Sequence, residues 1–136
     1  MKSKRKKLIK ELDHVFGDYI RHRDKGKCFS CNHPPFDPKN RIDLHPGHMF
    51  SRRYLSTRWD EDNVFAQCRG CNMKQNLTGN GSAVLKVIDM IGKERVWCVE
   101  RKTKQITKLT LTDLKQLIET YEQKLIDIKA TNLTTE

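Results

Sequence analysis

The 136-residue sequence has no apolar run near the roughly 18 residues that a membrane-crossing helix needs. Its basic N-terminus lacks the uninterrupted apolar segment that marks a secretory signal. The expectation is a protein that neither spans a membrane nor is exported, and that works in the cytoplasm. Internal repeats and low-complexity tracts are also missing. Apolar residues make up only 36% of the chain, so the core of a single domain of this length should be modest. Proline is scarce and clustered: Pro34, Pro35, Pro38 and Pro46 exclude a long helix in that stretch. Five cysteines in a cytoplasmic chain do not suggest a disulfide framework.

What the chain has in excess is positive charge, 27 Lys and Arg against 17 Asp and Glu, for a formal net charge of +10. Residues 1–27 carry ten basic and four acidic side chains, a net of +6. Residues 41–59 carry Arg41, Arg52, Arg53 and Arg58 against Asp43, a net of +3. From 110 to the end, three lysines face five acids. A basic front of this kind suits a polyanion, although dense charge by itself also serves solubility.

Leu8, Ile9, Leu12, Val15, Phe16, Tyr19 and Ile20 recur at helical spacing. They predict a helix from Lys4 to Arg23, ended by Lys25-Gly26-Lys27. From Cys28 to Gly81 that period disappears, and irregular loops with short strands near Ile42–His48 and Val64–Gln67 are expected. Ser82 reads as the N-cap of a helix through Val84, Leu85, Val87, Ile88 and Ile91, stopped by Gly92. Residues 93–102 suit a short helix or a strand. Thr110 with Asp113 resembles a capping box. It precedes a last helix carrying Leu114, Leu117, Ile118, Tyr121, Leu125 and Ile128 on one face, with fraying expected after Ala130. The layout is a basic N-terminal helix (1–26), a core of loops and short strands (27–81) and a C-terminal helical region (82–136).

Four of the cysteines form two pairs, Cys28-x-x-Cys31 and Cys68-x-x-Cys71. A two-residue spacer lets both sulfurs of a tight turn face one ion, so the four together predict tetrahedral Zn2+. Such a clamp would close the long, proline-rich loop between Cys31 and Cys68 and contribute folding energy on the order of 10 kcal/mol. A redox pair is the alternative, but no βαβ pattern accompanies it. With four cysteine ligands the zinc is coordinatively full and serves structure. Cys98 stands alone in an apolar setting and reads as a small core residue.

The reactive groups lie between the two pairs. His45-Pro-Gly-His48 ends the first expected strand, Asn63 follows the acidic turn Asp60-Glu61-Asp62, and Asn72 follows Cys71. Hydrolysis of a phosphodiester needs a base near neutral pKa, a divalent ion on the phosphate and a rigid frame. His48 suits the base, and Asn72 suits oxygen ligation of a hard ion. Asn63 suits tying the connecting loop to the strand. Taken singly, each is more often a loop hydrogen-bonder.

In order, Cys28-x-x-Cys31, Gly47-His48, Asn63 and Cys68-x-x-Cys71-Asn72 resemble the HNH endonuclease signature. The pattern is most similar to that of the phage NinG (Rap) recombination nucleases. Further matches are Tyr19-Ile20-Arg21, Asp24, His45-Pro-Gly-His48, Arg58 ahead of Asp62-Asn63, Gln67-Cys68, Gly79-Asn80 and Ile91-Gly92. The resemblance implies a mainly α fold around a small ββα-metal (HNH) finger stapled by the four-cysteine zinc site. It also implies a Mg2+- or Mn2+-dependent DNA endonuclease acting on branched recombination intermediates, in the bacterial host cytoplasm. On that likeness His48 is the general base, Asn63 the middle Asn and Asn72 the second metal-side residue.

One position departs from the wider HNH pattern, which often places an acid or His before the base, where this chain has Gly47. On an extended strand His45 and Asp43 share the Gly47 face. With room left at 47, His45 is the expected ligand of the catalytic ion and Asp43 the reserve, a purely structural His45 being the alternative. Arg52, Arg53, Arg58, Arg69 and Lys74 are the expected phosphate contacts, with Tyr54 or Trp59 packing beside the backbone. Any one of them also reads as a solvated charge, and so does Lys4-Arg5-Lys6-Lys7. Gly47 sustains a second reading, a catalytically inactive zinc-dependent DNA-binding module. A third is a zinc-stabilised adaptor that uses the last helix. A homodimer is one way for a single site per chain to cut both strands.

Overall fold

The computed structural model describes residues 2–31, 33–74 and 76–134. Along the chain come α1 (Lys2–Arg23), β1 (Leu44–His48), α2 (Leu55–Arg58), β2 (Val64–Cys68), α3 (Arg69–Lys74), α4 (Gly81–Ile91), α5 (Lys93–Thr103) and α6 (Leu111–Thr134). The protein is mainly helical around one small antiparallel sheet, in which Leu44 pairs with Cys68 and His48 with Val64. Among the described residues no helix is long and apolar enough to cross a membrane.

The sheet separates two cores because side chains alternate along β2. Val64 and Ala66 join Leu12, Phe16 and Ile20 of α1 and Leu114, Ile118 and Tyr121 of α6. Phe65 turns the other way, onto Met49, Leu77, Val87, Val96 and Val99. All five residues of β2 are therefore buried. Helices α1 and α6 pack side by side and run in the same direction. Arg5 donates to the Leu109 carbonyl (2.6 Å), Tyr121 meets Phe16 edge-on at 4.8 Å, and Asn132 donates to the His22 carbonyl (3.0 Å). The end of α1 is a tight turn in which the Gly26 amide, at φ 72°, donates to the Arg21 carbonyl. A Cβ on Gly26 would run into the Phe36 carbonyl, so only glycine fits.

Several boundaries differ from the sequence-based expectations for identifiable reasons. Helix α1 begins at Lys2 rather than Lys4. The N-cap of α4 is Asn80, not Ser82, because the Asn80 side chain accepts from the Ala83 amide at 3.2 Å. Strand β1 starts at Leu44. Ahead of it the Asn40 side-chain oxygen accepts from the Ile42 and Asp43 amides, holding a turn that leaves Ile42 70% exposed. Residues 93–103 are helix, with Val96 and Val99 buried one turn apart. Helix α6 continues past Ala130 to Thr134. Cys98 is half-buried on α5 and belongs to neither core, contrary to its reading as a core residue.

Candidate functional site

Cys28 and Cys31 sit in the loop after α1, Cys68 ends β2, and Cys71 lies on α3. Their four sulfurs lie within 4.8 Å of one another, and Cys31 Sγ is 3.8 Å from Cys68 Sγ. A zinc–sulfur bond of about 2.3 Å puts the corners of a tetrahedron about 3.8 Å apart, so the cluster fits the ion. The Ser30 and Cys68 amides donate to Cys28 Sγ at 3.3 and 3.2 Å. Burial opposes a thiolate at Cys28, yet these amide donors bring its pKa down to about 7. Burial and the neighbouring sulfurs push Cys71 the other way. Four adjacent sulfurs cannot all ionise unless a cation sits among them, which is what a metal centre provides. Cys98 is no part of the cluster.

Beside this clamp a cleft of about 450 Å3 is walled by His45, Gly47 and His48 of β1, Asn72 of α3 and Asp13 and His14 of α1. Asn72 directly follows a cysteine of the cluster, so holding α3 to the sheet also sets its side chain. His48 is 93% buried, with its Nε2 2.9 Å from the Arg58 carbonyl. A carbonyl only accepts, so Nε2 carries the hydrogen and the Nδ1 lone pair is the basic one. Burial lowers the His48 pKa to about 4; the Arg58 carbonyl works against that shift and the charges of Arg52 and Arg58 reinforce it. At neutral pH the ring is uncharged with its Nδ1 lone pair available, and burial makes it a weaker base than the near-neutral one expected from the sequence.

Asn63 is fully buried and organises the loop between the strands. Its Oδ1 accepts from the Phe50 amide (2.7 Å), and its Nδ2 donates to the Phe50 and Thr57 carbonyls (3.1 and 2.9 Å). Its own carbonyl accepts from the Met49 amide, next to His48. Thr78 donates to the His48 carbonyl at 2.6 Å from the opposite side.

The space a Cβ would need at position 47 is not left for His45. Such a Cβ would lie 3.0 Å from Gln67 Oε1 and 3.3 Å from the Phe65 carbonyl. The fully buried Gln67 amide fills that place and donates to Ser30 Oγ at 2.8 Å. An acid at 47 would have to displace Gln67. His45 lines the cleft, but Asp43 does not; its carboxylate accepts from Asn40 Nδ2 at 2.9 Å.

The expected phosphate contacts divide into two groups. Arg53, Arg69 and Lys74 are exposed, with Arg53 stacked on Tyr54 at 5.0 Å. Arg58 is turned inward. It gives two hydrogen bonds to Asp13 (3.1 and 2.7 Å) and lies 5.4 Å from the Trp59 ring. Arg52 also pairs with Asp13 (3.1 Å), but its side chain is 58% exposed at the cleft. Trp59 completes the set with an Nε1 bond to Asp13 at 2.9 Å. Burial disfavours charge on Asp13, but hydrogen bonds from Arg58 and Trp59 and the charges of Arg58 and Arg52 hold its pKa below the ordinary carboxylate value. Sequence reasoning missed Asp13 and His14. The signal available was Gly17, a helix-weakening residue in mid-helix, whose Cα side lies against Pro46 of β1 and brings α1 close to the cleft.

The profile of the family described as Bacteriophage Lambda NinG protein matches residues 1–131. Among curated proteins and among solved structures nothing matches.

Proposed function

The chain belongs to the phage lambda NinG family, a phage recombination family, and from that premise we propose that it is a metal-dependent DNA endonuclease of the HNH class. The observation that carries the reading is His48: a buried, neutral imidazole whose tautomer is set by the Arg58 carbonyl, facing a cleft shared with Asn72 and His45. Antiparallel β1 and β2, joined through α2 and followed at once by α3, with four cysteines gathered at this end, support the reading as the order expected of a ββα-metal finger. Nδ1 of His48 takes a proton from a water, the oxygen attacks phosphorus in line, and the bond to the 3′ oxygen breaks. The Asn63 network holds the loop so that His48 keeps its aim. A hard divalent ion, Mg2+ or Mn2+, would be held by the Asn72 amide oxygen and by His45, with the DNA phosphate supplying the negative ligands. When bound it offsets charge building on the phosphoryl and leaving oxygens. Arg52, Arg53, Arg69 and Lys74 would grip the flanking backbone.

The Gln67 amide beside Gly47 favours one rival reading, a DNA-binding module without catalysis, because it leaves no carboxylate for the ion at that position. Nicking of supercoiled plasmid by the zinc-loaded protein separates the two. Nicking with Mg2+ or Mn2+ that EDTA abolishes is expected. DNA binding with no nicking in either metal would favour the module.

A further inference from the structure

Two more recesses open on the molecule, and shared residues join them to the His48 cleft. Arg41 lines both that cleft and a recess of about 450 Å3 beside Asp18 and Asn40. His22, Lys39 and Lys129 line that recess and also the next, of about 550 Å3, which continues past Phe36 and Lys25. The resulting track leaves the cleft, crosses the end of α1 and the proline-rich loop, and finishes on the last turns of α6.

Three of its four lysine and arginine side chains have no ion-pair partner among the described residues. Elsewhere Arg52, Arg58, Arg95, Lys102 and Lys124 each pair with a carboxylate. Among the described residues no ion pair engages Lys25, Lys39 or Lys129, and all three are exposed. Arg41 bonds to Asp18 and still leaves 52% of its side chain exposed. Of the acids in the recesses, Asp18 is paired by Arg21 and Arg41, and exposed Asp37, which accepts from the Lys39 amide, leaves one negative charge against Lys25, Lys39, Lys129 and the part-exposed Arg41. Apolar wall comes from Pro35, Phe36, Pro38 and Leu133 in the larger recess, while in the smaller one Ile42 lies among Asp18, His22 and Asn40. A row of free ammonium groups over an aromatic and proline floor matches an unpaired strand, with phosphates on the lysines and base faces on the floor. A duplex offers only its phosphates and would leave that floor unused.

We propose that this track binds an unpaired strand of the DNA whose scissile phosphate lies at His48, so that the protein selects duplexes bearing a single-stranded arm. The identity of the partner as DNA rests on the nuclease reading, but the binding measured below does not require cleavage. Fluorescence anisotropy of the zinc-loaded chain, without Mg2+ or Mn2+, compares a labelled blunt duplex with the same duplex carrying an oligo-dT arm at its 5′ or 3′ end. An arm at one end should raise affinity, and Lys39→Glu with Lys129→Glu should abolish that gain while leaving blunt-duplex affinity unchanged. The log–log salt slope for the armed DNA should become shallower by about 1.4, two single-strand phosphates at about 0.7 each. Lys39→Gln with Lys129→Gln should lose the gain in the same way if the charge reversals do not fold. Equal wild-type affinity for armed and blunt DNA overturns the proposal, as does a variant that weakens both equally, which marks long-range charge. Arm preference without plasmid nicking would sink the nuclease reading and keep the track. Nicking without arm preference would do the reverse.

Discussion

Asn63→Ala removes the most heavily used side chain in the loop that carries His48. It deletes three hydrogen bonds and leaves the Phe50 amide and carbonyl without this partner, while the Thr57 carbonyl keeps the Asp60 amide, around a position that is 0% exposed. An unmade buried bond costs about 1–3 kcal/mol, and some water will reach the Phe50 groups, so a total near 4 kcal/mol is expected. Against a typical domain stability of about 5–15 kcal/mol, this leaves a folded but weakened protein. Asn63→Asp tests the mechanism more sharply. It keeps the acceptor for the Phe50 amide but sets an anionic oxygen against two carbonyls, and should be as destabilising as Ala at neutral pH despite its shape. Urea titration with zinc saturating in every sample gives the change in midpoint and slope. Cleavage should fall in both variants, since the Met49 amide beside His48 bonds to the Asn63 backbone. A loss under about 0.5 kcal/mol for Asn63→Ala, the range of ordinary surface changes, would refute the view that this amide holds the loop.

Three further outcomes follow from the same geometry. Cys68→Ser should abolish stoichiometric zinc by elemental analysis and lose the folded circular-dichroism spectrum, whereas Cys98→Ser should keep both. Asp13→Asn should cost about 2 kcal/mol by thermal melting, because it neutralises the partner of Arg58 and Arg52, and should lower cleavage by loosening the Arg58 carbonyl that orients His48. His48, held at a pKa of about 4 against 6.5 unfolded, contributes stability that is present above pH 6.5 and lost as pH falls toward 4. From pH 7 to 5 the wild type should therefore lose about 2 kcal/mol more than His48→Gln in parallel denaturations, and equal losses would contradict the burial of a neutral ring.

Features carried by short-range chemistry were readable in the sequence. The Thr110–Asp113 capping box forms both of its reciprocal bonds, at 2.8 and 3.0 Å, because everything it needs lies within one turn. The same holds for the two-residue cysteine spacers and for the apolar faces of α1 and α6. What could not be read was pairing across the chain. Arg58 looked like a phosphate contact, since an arginine after an exposed-looking loop has no visible partner; Asp13, 45 residues away, turns it inward. Gly47 suggested open space because glycine marks a missing side chain, but not what fills the gap, and Gln67 arrives there only through the antiparallel register. The boundary at Asn80 was missed for a smaller reason: two good capping residues lie two positions apart, and only backbone geometry selects between them.

The role of His48 as the base is tested most directly by a single variant. His48→Ala should lose about 10²–10⁴-fold in plasmid nicking with Mg2+ or Mn2+. It should retain one zinc per chain and its affinity for DNA, because His48 belongs neither to the cysteine cluster nor to the exposed cations. Nicking near the wild-type rate by a zinc-loaded His48→Ala protein would contradict the mechanism.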